Sequence, residues 1–139
     1  MKKFFLLIFT VIIIVIILSY FIDFNSSHIK EIRICHQIEN HQCPNDEPVF
    51  DSQSPEIFLS CKLGNPIPET NIEFAWYYTT NIRNKIEVVI LNSDDYIETL
   101  QIHTSLSRPE KGWPLGDYEV IITILNTKKE PIIKKFYVR

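Results

Sequence analysis

The chain has 139 residues and a formal net charge of −3, with 45% hydrophobic and 22% charged residues. Three glycines exclude a Gly-rich phosphate loop or a flexible Gly linker, and three cysteines are too few for a disulfide-dense scaffold. The mildly acidic balance argues against a general nucleic-acid binder, and the length allows one ordinary domain.

The mean hydropathy of +0.00 averages two unlike parts. Residues 4–22, FFLLIFTVIIIVIILSYFI, carry no charge. As a helix this run spans roughly 28 Å, close to the hydrocarbon thickness of a bilayer. Lys2 and Lys3 precede it and Asp23 ends it, which predicts a cytoplasmic N-terminus and an exported remainder. A cleaved signal peptide is the competing reading, but the apolar core is long and no A-x-A-like site follows it. The expectation is an uncleaved signal anchor over 1–23 and a single-pass protein whose C-terminal part is extracytoplasmic. Lys2 and Lys3 are the only basic residues before position 23, and no acidic residue precedes it, so the remainder is near −5.

Residues 24–48 are polar and read as a stalk or entry segment, with a short strand at 30–35. From 49 onward the pattern is one of short alternating runs between turn residues, the mark of antiparallel strands. Over 56–63, Ile57, Leu59, Cys61 and Leu63 share one face. Over 71–78, Ile72, Phe74, Trp76 and Tyr78 do so. The run 85–92 is apolar on both faces. Residues 99–107 set Leu100, Ile102, Thr104 and Leu106 against His103 on the other side. The corner 108–116 leads to strands at 117–126 and 131–139. Gly64, Gly112 and Gly116 read as turn markers, and the pairs Asp46-Glu47, Asp94-Asp95, Lys128-Lys129 and Lys134-Lys135 as solvated. No run after residue 22 is an amphipathic helix, so the fold class is all-β, an antiparallel sandwich preceded by one transmembrane helix.

Cys35-His36 and His41-x-Cys43 form the one cluster with metal-like chemistry. Its spacing suits a zinc site poorly, and an oxidising compartment favours a Cys35–Cys43 disulfide. A metal site, a Cys43–Cys61 bond and free thiols remain alternatives. No cofactor and no metal are expected. There is no G-x-S-x-G elbow, and an enzyme is not expected; a thiol or metallo-enzyme at the Cys/His cluster is the weakest reading. The sequon at Asn25 hugs the apolar run and carries little weight.

Cys61, then Trp76 fifteen positions on, then Tyr118 two residues before Val120, resembles the immunoglobulin pattern, with Val120 standing where a second Cys would be. The closing GWPLGDYEVIITI and the final KKFYV strand are similar to an uncharacterised family of small exported or membrane-anchored microbial proteins with Ig-like β-sandwich domains. The resemblance covers about residues 35–139 and implies Cys61, Trp76, Tyr118 and Val120 as core. It implies no catalytic residue.

In such a sandwich the strands at 71–78, 85–92 and 117–126 are sheet neighbours. Their outer face is expected to present Tyr77, Val89, Leu91, Ile121 and Leu125 to a protein partner or a second copy, unless residues 23–55 cover it. The functional expectation is a membrane-tethered extracytoplasmic module making protein contacts. The alternative is a carbohydrate- or small-ligand-binding sandwich using Trp113 and the end loops.

Overall fold

The computed structural model describes residues 2–24, 26–96 and 99–139, with the side chains of the N-terminal helix described from Lys3 to Ser19. That helix, α1 (Lys2–Phe24), is followed by eight strands: β1 (His28–Cys35), β2 (Val49–Phe50), β3 (Glu56–Gly64), β4 (Asn71–Tyr78), β5 (Asn84–Asn92), β6 (Gln101–Ser107), β7 (Gly116–Ile124) and β8 (Ile132–Val138). A short 3-10 turn, Ser93–Tyr96, follows β5. Six of the strands start within two residues of the positions the alternation predicts. The two-residue strand β2 was not expected, being too short to show a period.

The strands form two sheets, one ordered β1-β3-β6 and the other β2-β8-β7-β4-β5. All pairings are antiparallel except β2 with β8, which is parallel. The inner faces share one core. Ile57, Leu59, Cys61, Leu63 and Ile102 come from the first sheet; Ile72, Phe74, Trp76, Tyr118, Val120, Ile122 and Phe136 come from the second. Phe136 is the aromatic hub. Its ring stacks on Tyr118 at 5.0 Å and meets Trp76 and Phe50 edge-on, both at 5.9 Å. Such contacts contribute about 1 kcal/mol each beyond the area they bury.

Residues 28–47 pack on the β domain. β1 pairs along β3, with a bulge between Lys30 and Arg33 where Glu31 takes a φ of 53°. Residues 36–47 then fold over the outer face of the three-stranded sheet. Cys35 and Cys43 are joined (Cα–Cα 5.7 Å) and buried on that face. The Cys43 amide donates to the Ser60 hydroxyl at 2.8 Å, and the Arg33 guanidinium donates to the Cys43 carbonyl. Asp46 and Glu47 are exposed, as the solvated reading expects, yet both are bonded. Asp46 accepts from the Ile34 amide at 2.9 Å and from Lys134 of the other sheet, and the Glu47 amide donates to the Ile34 carbonyl. This acidic pair thus closes the side of the sandwich between β1 and β8, and Lys134 is held rather than solvated.

The core draws no described residue from α1. Phe4, Phe5, Leu7 and Phe9 are each more than 60% exposed. Among the described residues no helix is long and apolar enough to cross a membrane. Positions 20–22 of the expected span lie outside the described side chains, and Asn25 of the sequon outside the described residues.

Candidate functional site

The sheet β2-β8-β7-β4-β5 has an outer face, and the register fixes what stands on it. Ala75 of β4 pairs with Ile121 of β7 and Val88 of β5, and Ile121 pairs with Ile133 of β8. Cross-strand partners share a face, so Ile133, Ile121, Ala75 and Val88 form one apolar row across four strands. Ile90 adjoins the row on β5. Ile133 is 53%, Ile90 54% and Val88 39% exposed. The next row is charged. Lys135 pairs with Glu119, Glu119 with Tyr77, and Tyr77 with Lys85. Arg83 bridges to Glu119 and lies 4.5 Å over the Tyr77 ring, with Lys85 at 5.8 Å. The face is therefore an apolar stripe beside a laced charged row, ending at β5, whose far edge pairs with no strand among the described residues.

Tyr77 and Ile121 stand on this face as expected, both half-buried. Val89 and Leu91 do not. Val89 pairs with inward Phe74, and Leu91 with inward Ile72, and Leu91 packs against the core. The outward residues of β5 are Val88 and Ile90. A run apolar on both faces gives no alternation to read, so only pairing assigns its faces. Leu125 lies just past β7, where its amide donates to the Asn71 carbonyl; it lines a cavity at the helix-proximal end instead.

Trp113 is withdrawn from any ligand. It is 4% exposed, its indole donates to the Ser54 carbonyl at 2.7 Å, and its ring meets Tyr118 edge-on. The corner that holds it requires glycine. Gly112 has a φ of +82°, and a Cβ there would meet the Ser52 carbonyl at 2.9 Å. Tyr118 closes the same corner by donating its hydroxyl to the Pro114 carbonyl at 2.7 Å.

No protein-family model and no curated protein matches the chain.

The remaining chemistry is structural. Cys35 and Cys43 spend both thiols on their disulfide, which removes the zinc alternative, and the described residues contain no His/Cys/Asp/Glu group able to hold a metal ion. Cys61 is free and buried, and burial pushes its thiol up to about 12. Burial, and then the neighbouring Tyr78, raise the Tyr118 phenol to about 12. Neither ionises in the native protein near neutrality. His103 faces outward on β6 as alternation predicts, yet its Nδ1 is buried, because His41 of the covering segment lies over it at 6.1 Å.

Proposed function

We propose that the protein is a membrane-tethered, extracytoplasmic Ig-like module that contacts a protein surface through the outer face of its five-stranded sheet. The observation that carries this is an asymmetry of covering. Residues 36–47 and the disulfide cover the outer face of β1-β3-β6, while on the other sheet Ile133, Val88 and Ile90 are left exposed along the row that half-buried Ile121 and buried Ala75 complete. An apolar row rimmed by charge marks a contact surface more readily than a solvated one.

The Ig-like assignment, including kinship with the microbial exported family, is supported by the strand orders, by buried Cys61, Trp76 and Val120, and by the Tyr118–Pro114 bond, which matches the tyrosine corner of such domains. The tether is supported by the uncharged run 4–22 behind Lys2 and Lys3, and by exposed helix side chains that join no core. The disulfide suits an oxidising compartment.

The test is substitution on the exposed row. Ile90→Lys and Ile133→Glu should leave thermal stability within about 0.5 kcal/mol of the parent, since both side chains are more than half exposed. The same variants should lose any partner or self-association captured by crosslinking the full chain in membranes. Folded variants that keep every association would defeat the proposal.

A further inference from the structure

We propose that the helix-proximal end of the β domain rests on anionic phospholipid headgroups, held there by Lys128 and Lys129 with Lys30 and Lys62. This inference rests on the membrane tether proposed above and adds where the domain sits.

Chain length is the first argument. From Phe24, the last residue of α1, to His28, the first of β1, the chain reaches at most about 14 Å when fully extended. Much of that reach is already spent, because Ser27 is 4% exposed and pinned. Its hydroxyl donates to the Asn65 carbonyl at 2.8 Å and accepts from the Ile67 amide at 2.9 Å. A helix seated in the bilayer therefore brings the β3–β4 loop, and the end of the sandwich it belongs to, to the headgroup layer.

The second argument is the chemistry of that end. A cavity of about 570 Å³ opens there between Ser26 and Ser27 on one side and the β7–β8 hairpin, with Leu125, Lys128 and Lys129, on the other. Lys128 is exposed, Lys129 half-buried, and neither enters an ion pair in the described structure. Ile67, in the same lining, is 45% exposed. On the neighbouring sheet Lys30 pairs directly opposite Lys62, two residues from where β1 begins. Like charges in that position repel, and an anion between them relieves the repulsion. Acidic residues share this end, since Glu31 follows Lys30 and Glu130 follows Lys129 in the chain. Asp94 and Asp95 sit on the turn after β5, at the opposite edge of the sheet from β8, and Asp94 accepts from the Glu69 amide. Glu69 alone among them lines the cavity. Lys128 and Lys129 thus stand at the cavity beside Ser26 and Ser27 without an ion pair in the described structure, which fits a domain leaning its β7–β8 hairpin onto a negative surface.

The full chain is reconstituted in nanodiscs of phosphatidylcholine alone and of phosphatidylcholine with phosphatidylglycerol, and hydrogen exchange is followed over 65–70 and 125–131. Exchange there should slow in the anionic lipid, with about five-fold of the effect lost for each lysine in Lys128→Glu and Lys129→Glu, and raised salt should abolish it. Lys135→Glu, in the outer-face charged row, should leave it intact. A chain anchored in both lipids whose exchange ignores lipid charge overturns the docking alone. A chain released from membranes by alkaline carbonate overturns the tether and the docking with it. Slowing by anionic lipid that survives Lys128→Glu with Lys129→Glu also overturns the assignment to these lysines.

Discussion

Trp76 and Trp113 lie in the same core on different terms. Trp113 donates to the Ser54 carbonyl, whereas the Trp76 indole Nε1 is buried with no partner. Trp113→Phe leaves a buried carbonyl unsatisfied as well as a void, and should cost about 3 kcal/mol. Trp76→Phe leaves a similar void but removes an unpaired donor, so it should cost less, about 1 kcal/mol. Urea denaturation of both variants checks the order, and a Trp76→Phe loss equal to or above the Trp113→Phe loss would refute it. Cys61 and Tyr118 set the alkaline limit. Their ordinary values are 9.0 and 10.0, and both rise to about 12 in the native state. The unfolded chain therefore sheds these protons first as pH climbs. Stability is complete below about pH 9 and falls between there and about pH 12. Cys61→Ala should flatten part of that fall, and an unchanged slope would remove Cys61 as its source. The inward positions of Cys61, Trp76 and Val120 were readable from alternation. The role of Gly64 was not: it ends β3 rather than a turn, and a Cβ there would collide with the His28 ring, a contact between distant positions that no local pattern signals.

The disulfide and the segment it closes act as one element. Cys35 and Cys43 are eight positions apart. Losing so short a closure costs about 2–3 kcal/mol through the unfolded chain. The Cys35→Ala, Cys43→Ala double variant should lower the melting temperature accordingly. It should also free residues 36–47 to exchange, because His41 and the Cys43 amide then lose the constraint that seats them on His103 and Ser60. Unchanged exchange over that segment would show that the hydrogen bonds alone hold it. Strand β5 shows why part of the candidate surface escaped sequence reading. Its apolar run offers two equally good faces, and a bulge opposite Trp76 and Tyr77 puts Lys85 and Val88 on the same side despite their odd spacing. Strands β3, β4 and β7, with a clean period of two, had no such ambiguity.

At the scale of the whole molecule the β domain is self-sufficient, since its core contains no described α1 residue. A fragment beginning at Ser26 should show the same cooperative unfolding transition as the full chain, within about 1 kcal/mol, by circular dichroism. A fragment that is unfolded would mean that α1 is part of the fold rather than its tether. The division into an apolar N-terminal run and a β domain was plain from composition. What covers which sheet was not, because it depends on residues 36–47 turning back over β3 and β6 rather than over β4 and β7. The bulged strand β1 also has a mechanical consequence. It enters at the helix-proximal end and runs antiparallel to β3 from His28 against Gly64 to Cys35 against Phe58. Inter-strand bonds in such a pair stand perpendicular to the strands. A pull between a bilayer-held helix and a partner held on the opposite sheet would therefore load β1 lengthwise, straining its bonds to β3 together in shear rather than unzipping them one at a time.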